Sequence, residues 1–357
     1  MVHVRYILRT KNKMNIQQKI ILSRYVSEIL YESKYINVVG IEASKPDEIA
    51  MLDFVVSIRE SRTGIFQDGE FLSTIIFEPP IRKSLLVNND LVGWGDTRIA
   101  ILDSGVNPKE VSITEAIDYT GSALFDVRNH GNIVANIVKN FAKGALIYFA
   151  KVGVVTPDEL NVMAGIEWAV DKGVNLINIS AGFLRVRKDQ SGIMHECNGD
   201  CELCELVNTV SAERNVGIIV AAGNRCKQEN SIDCPGNAIN AITVGAIDKD
   251  RKIADYSSFG ALGGSKPNLV AQGDGSLNGS RFSGTSFSAP LITGVLGAIL
   301  YKCGNIVNAT EYLYSTAGDL NVPRHHQGHG CLNIEGLVEV MRNEKINCKG
   351  SEQGQSS

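Results

Sequence analysis

The chain has 357 residues, with 35 Lys and Arg against 39 Asp and Glu, a formal net charge of −4. So small an imbalance gives no electrostatic reason to expect nucleic acid or an acidic membrane as a partner. With 44% hydrophobic and 21% charged residues, the chain is neither wholly disordered nor a collagen nor a coiled coil.

No apolar run reaches the roughly 18 residues of a membrane-spanning helix. The N-terminal stretch MVHVRYILRTKNKM lacks the continuous apolar core of a signal peptide, so a cytoplasmic protein with reduced thiols is the expectation. A secreted, disulfide-bonded protein is the alternative.

Residues 2–10 read as a strand. Residues 16–31 read as a helix, with Ile21, Tyr25 and Ile29 in one row and Leu22, Val26 and Leu30 in the next. A strand follows at 37–41, and Lys45-Pro46-Asp47 suits the first turn of a second helix. Residues 61–90 are turn-rich, include Pro79-Pro80, and read as a linker. From about residue 97 the character changes. Short β-branched runs at 98–102, 145–152, 174–179, 216–221 and 241–244 alternate with helical segments such as 158–172 and 204–215. That alternation predicts a parallel sheet covered on both faces, with sites at the carboxyl ends of its strands. The tail after Lys345 is polar.

Three segments carry chemistry. In RIAILDSGV, Asp103 ends a buried strand. In RNHGNIVANIV, His130 opens a helix. In SGTSFSAPLITGVLGAIL, Ser286 begins an apolar helix. Singly, each residue type has a plainer use: Asp and Ser cap helices and shape turns, and a helix-start His is commonly structural. Together, in the order Asp…His…Ser, they resemble the subtilisin family of serine proteases. The resemblance runs from about residue 93 to 338. GTSFSAP matches the nucleophile motif fully and ILDSG the aspartate motif. NHGNIVANI matches the histidine motif except that Asn132 replaces the usual Thr.

The resemblance implies an α/β, subtilisin-like three-layer fold with a mainly parallel central sheet. It also implies a serine endopeptidase acting through an acyl-enzyme on Ser286. His130 is the base and Asp103 holds the imidazole. Asn224, in the segment VAAGN, matches the oxyanion donor. Ser180, Ala181 and Gly182 match the strand edge that pairs with a peptide or protein substrate. Pro235-Gly236 puts Asp233 near the floor of the pocket for the residue before the cut, where a carboxylate would select Lys or Arg; a solvated loop Asp is the competing account. The chemistry needs no cofactor. Ca²⁺ is implied by the family alone, and its ligands are not matched here.

Residues 1–83 stand where the family carries a propeptide, giving a small N-terminal α/β domain with linker that inhibits the enzyme or regulates it. Arg82-Lys83 would be a self-cleavage site. The peptidase domain spans 84–345 and a polar tail 346–357. Cys197, Cys201, Cys204, Cys226 and Cys234 cluster in sequence. Cys197, Cys201, Cys204 and Cys226 would make a structural Zn²⁺ site, with Cys234 as a substitute for one of them; two disulfides are the alternative. Cys303, Cys331 and Cys348 read as packed or free thiols. His325, His326 and His329 are either metal ligands or exposed loop residues. A catalytically idle, cysteine-loaded binding or sensing module on the same scaffold would not need triad and oxyanion residues together. An α/β-hydrolase esterase would need G-x-S-x-G and the order Ser…Asp…His.

Overall fold

A computed structural model describes residues 4–66, 97–188, 193–277 and 280–343. The N-terminal unit is a four-stranded antiparallel sheet of β1 (Val4–Thr10), β2 (Glu28–Glu32), β3 (Val38–Ala43) and β4 (Val55–Glu60), in the order β2-β3-β1-β4. Helices α1 (Ile16–Leu22) and α2 (Pro46–Ala50) complete it. Leu8, Leu22, Ile41, Ile49 and Ile58 form a core of their own.

The helix expected over 16–31 stops at Leu22, and its second half is strand β2. Asn15 and Gln18 cap the start reciprocally. Beyond the helix, residues 28–32 pair with β3, Glu28 opposite Glu42 and Glu32 opposite Val39. Backbone pairing outweighs the helical periodicity, and Ile16, Ile20, Ile21 and Tyr25 are left exposed.

The expected parallel sheet has seven strands: β6 (Arg98–Asp103), β7 (Glu115–Asp118), β8 (Leu146–Lys151), β9 (Leu176–Ile179), β10 (Gly217–Ala221), β11 (Ala241–Ile247) and β12 (Leu269–Gln272). Their order across the sheet is β12-β11-β10-β9-β6-β8-β7. Alternate residues enter different cores. Ile99, Ile101, Phe149, Ile219 and Val244 pack under helices α3 (His130–Phe141) and α6 (Thr285–Cys303). Ala100, Leu102, Ala150, Ile177 and Val220 pack under α4 (Glu159–Asp171) and α5 (Glu202–Arg214). Burial on both faces explains the continuous apolar runs. Helix α6 is 19 residues long and apolar enough to cross a membrane by length and composition, yet almost all of it lies inside the fold.

The N-terminal sheet rests on α4 and α5. Ile7, Tyr31, Ile36 and Val38 join the core beneath these helices. Around them lies a charged seam that the sequence did not announce. Arg59 donates to Glu159 Oε2 at 2.9 Å and to Glu202 Oε2 at 2.6 Å, all three side chains buried. Arg62 adds two bonds to Glu159, at 3.0 and 2.5 Å. Burial alone would raise the Glu159 carboxyl, but Arg59 and Arg62 overrule it and bring the pKa down to about 2. Glu167 accepts from the Tyr31 and Ser33 hydroxyls, each at 2.6 Å.

Candidate active site

The sheet delivers Asp103 at the carboxyl end of β6. Asn129, left-handed at φ 61°, turns the chain into α3 so that the helix opens on His130; Asn tolerates that conformation better than most residues. His130 Nδ1 lies 2.6 Å from Asp103 Oδ1, and both residues are buried. A carboxylate only accepts, so a proton sits on Nδ1, and Nε2 is the ring nitrogen turned away from Asp103. The Ser104 amide also donates to Asp103 Oδ1, at 2.7 Å.

Further bonds fix this corner. The Ser104 hydroxyl donates to Asp126 Oδ1 at 2.8 Å, and the Asn132 amide donates to Asp126 Oδ2 at 3.0 Å. Burial raises the Asp126 carboxyl, the Asn132 amide works against the rise, and the Asp103 charge adds to it. The Asn132 side chain accepts from the Asn107 amide at 2.6 Å and donates to Asn129 at 3.0 Å. Where the family motif has Thr, this chain uses Asn to tie the loop after β6 to the start of α3, without touching the Asp103–His130 bond.

Ser286 lies in the first turn of α6, fully buried. Its hydroxyl donates to the Ser180 carbonyl at 2.9 Å, and the Ser180 hydroxyl donates to the Ser286 carbonyl at 2.8 Å. The His130 ring packs against Phe287, the next residue, at 5.4 Å between centroids. Acyl transfer requires the Ser286 hydroxyl to turn from Ser180 to His130. The Thr285 amide and hydroxyl both donate to Asn224 Oδ1, at 3.1 and 3.0 Å. A backbone amide can only donate, so these bonds settle which side of the Asn224 side chain is oxygen and leave Nδ2 as the donor on the other side. A base, a hydroxyl and an oriented amide at a helix N-terminus are the parts that acyl transfer uses.

Ala181 and Gly182 pair as an antiparallel edge, with Ala181 opposite Phe66 and Gly182 opposite Ile65. Their partner is the chain's own β5 (Ile65–Phe66), which follows the N-terminal sheet. The Gly64 amide donates to the Pro157 carbonyl at 2.8 Å. Phe66 is fully buried, its ring 5.3 Å from that of His130. The sequence placed this stretch in a linker; its Ile-Phe pair among turn formers was the available signal. Ser180 does not join the pairing. Its side chain locks the Ser286 backbone instead.

Asp233 is 2% exposed and lies under the strand end that carries Asn224. A β-carbon at Gly223, where φ is +112°, would stand 2.9 Å from Asp233 Oδ2. Arg225 reaches Asp233 with Nε at 3.3 Å and Nη2 at 3.2 Å. The carboxylate is therefore buried and bound to a guanidinium, not a solvated loop group.

The cysteine expectation needs one correction. Cys197, Cys201, Cys204 and Cys234 are all buried, with their sulfurs within 4.8 Å of one another. Cys226 is exposed and stands outside the group. Cys226 and Lys227 take left-handed conformations, and their amides bond to Tyr256 and Ser257, which leads the loop away. Cys234 returns because it exchanges both backbone bonds with Phe183, each 2.9 Å. Cys303 and Cys331 are buried thiols. Cys348, Arg82-Lys83 and the tail after Lys345 lie outside the described residues. Of the three histidines, His325 and His326 meet at Glu229, at 3.1 and 2.9 Å, a group compact enough to hold a metal ion, whereas His329 stacks on Tyr314.

The fold has counterparts among known proteins. The subtilase family model matches residues 95–330. M-protease of Shouchella clausii (strain KSM-K16) is 27% identical over 341 residues, covering 86% of this chain and 81% of its own. Alkaline elastase YaB of Bacillus sp. (strain YaB) is 25% identical over 330 residues, with the same coverage. The crystal structure of an epidermin leader peptide processing serine protease from Staphylococcus aureus superposes with a TM-score of 0.74 at 19% identity, covering 95% of this chain and all of that one. With the family model matching more than half of its length, the chain belongs to the subtilase family of serine peptidases.

Proposed function

We propose that this subtilase is an endopeptidase that cuts after Lys or Arg and matures a peptide or protein substrate, with its N-terminal region as a tethered inhibitor. The observation that carries the reading is β5. An extended segment of the chain lies antiparallel on the Ala181–Gly182 edge and brings Phe66 to the His130 ring. An incoming substrate would use the same edge. His130 takes the Ser286 proton as the hydroxyl attacks, Asp103 stabilises the imidazolium, and Asn224 Nδ2 donates to the oxyanion.

Asp233 supports the basic preference: it is a buried carboxylate that already binds a guanidinium. No Lys or Arg stands between Arg62 and Arg82. The segment in the cleft thus occupies it without offering the preferred side chain. The maturation role draws support from the structural relative whose name assigns it leader-peptide processing. A cytoplasmic setting fits the buried thiols. A fluorophosphonate label should modify wild type but not Ser286→Ala, and a fluorogenic panel varied at the residue before the cut should rank Arg and Lys first. A panel led by Phe or Leu rejects the basic preference; absent labelling of wild type freed of its N-terminal region rejects the enzyme reading.

A further inference from the structure

We propose that Cys197, Cys201, Cys204 and Cys234 bind one Zn²⁺ as a tetrathiolate, and that the ion clamps the floor of the specificity pocket to the substrate edge.

The four sulfurs form a closed group. All are buried and lie within 4.8 Å of one another, and Cys197 Sγ is 3.9 Å from Cys204 Sγ. A tetrahedral zinc site with bonds of about 2.3 Å has sulfur–sulfur edges of about 3.8 Å. The ligands come from two places, the segment leading into and through the first turn of α5 and the loop after Asn224. A single disulfide would join two of them, whereas this arrangement faces each with the other three.

The surroundings suit thiolates. The Gly199 amide donates to Cys197 Sγ at 3.4 Å. Gly199 sits at φ +95°, where a β-carbon would come within 2.6 Å of the Asn237 carbonyl, so the turn that aims this amide needs glycine. Arg62 Nη2 donates to Cys201 Sγ at 3.4 Å. Cys201 is the N-cap of the 13-residue helix α5 and Cys204 lies in its first turn, at the positive end of the helix dipole. Bonds from N–H groups to ligand sulfurs orient such ligands and spread their charge. Four thiols that bind one Zn²⁺ release four protons, leaving a site of charge −2 with Arg62 beside it.

The position gives the ion its role. Cys234 follows Asp233 directly and exchanges two backbone bonds with Phe183, the residue after the Ala181–Gly182 edge. A metal bond to Cys234 therefore holds floor and edge to α5 at once. Without it, the two loops are bridged by Arg185, which donates to the Cys197 carbonyl at 3.0 Å and to the Asn230 carbonyl, and no metal–sulfur bond ties Cys234 to the helix end.

Metal analysis of the full chain, purified under reducing conditions without chelator, tests the assignment. We expect about one zinc per chain, replaceable by Co²⁺ with the visible ligand-field bands of a tetrahedral thiolate site. Cys201→Ser and Cys234→Ser should lower the zinc content; Cys226→Ser should not. Removing zinc from wild type should lower kcat/KM on an Arg-ended peptide by roughly tenfold or more, while fluorophosphonate labelling of Ser286 persists. Four alkylatable thiols with no zinc even after addition of Zn²⁺, two disulfides by intact mass, or iron with acid-labile sulfide would each overturn the zinc site. Zinc bound with unchanged kcat/KM after its removal would overturn the clamp. The zinc readout does not depend on the proposed specificity, so the two readings fail separately.

Discussion

Replacing Asp233 by Asn tests the source of specificity most directly. The carboxylate is 2% exposed, and its guanidinium partner Arg225 lies 3.2 Å away. Unit charges about 4 Å apart at an effective dielectric near 20 attract by about 4 kcal/mol. A substrate guanidinium cannot collect all of that, because it must displace Arg225 and shed water. Charged hydrogen bonds contribute a net of about 1.5–3 kcal/mol, or roughly 10- to 150-fold in kcat/KM. Asp233→Asn should therefore lower the Arg-over-Leu ratio of kcat/KM by about that factor, with Leu peptides little affected. Arg225→Gln should raise the ratio by removing the competing cation, and should do nothing in the Asp233→Asn background. The assay is kcat/KM on matched peptides bearing Arg, Lys, Gln or Leu before the cut, at fixed pH and ionic strength. A ratio that moves less than about threefold in Asp233→Asn, against the tenfold minimum above, refutes the pocket argument.

Asn224→Ala should cost about 10²–10³ in kcat with little change in KM, since the donor is used where negative charge develops; an equal loss in binding would count against the oxyanion role. Arg59→Leu removes the nearest cation from Glu202, which keeps Arg187 at 3.5 Å and Arg9 at 3.9 Å, and leaves Glu159 to Arg62, so it should cost less than the roughly 3–5 kcal/mol of a fully broken buried pair. Peptidase activity of the uncleaved chain should then rise as β5 leaves the cleft, and unchanged latency would oppose the inhibitor reading. The Glu159 pKa falls from an ordinary 4.5 to about 2 in the fold, so its stabilisation is present above about pH 4.5 and fades as pH drops toward 2. Chemical denaturation of wild type across that window should show a fall in stability that is smaller in Glu159→Gln; parallel curves would contradict the assignment. Intact mass of wild type against Ser286→Ala should show a self-cut at Arg82 or Lys83. A cut just beyond Phe66 would mean that the cleft segment is itself a preferred substrate, which the basic specificity forbids.

The candidate triad left a pattern in the sequence because the chemistry restricts the residue types and the parallel sheet restricts their places. Asp103 ends a strand, and His130 and Ser286 start helices, so each left a local pattern. The long apolar strands were legible for a similar reason, burial on both faces. Residues 28–32 were not, because a half-exposed edge strand such as Glu-Ile-Leu-Tyr-Glu carries the same spacing as one turn of an amphipathic helix. Which of Cys226 and Cys234 joins the thiol group depended on where a loop turns back. A weak signal existed: Cys226 stands among Arg, Lys and Gln, whereas Cys234 follows Ile-Asp and precedes Pro. The Arg59–Glu159–Glu202 network left no local pattern, since its members are 100 and 143 positions apart. An acidic residue in a first helical turn already has a sufficient local explanation in the helix dipole.

That network has a bearing on the release of the N-terminal unit that we propose. Surfaces joined by Arg59, Arg62, Glu159, Glu202 and Glu167 expose ionised side chains when they separate, and water hydrates these readily. A wholly greasy contact would leave two sticky faces seeking other greasy faces. In the proposed release of the N-terminal unit, this charged rim would surround the apolar centre of Ile7, Tyr31, Ile36 and Val38 and keep it from meeting other apolar surfaces face to face.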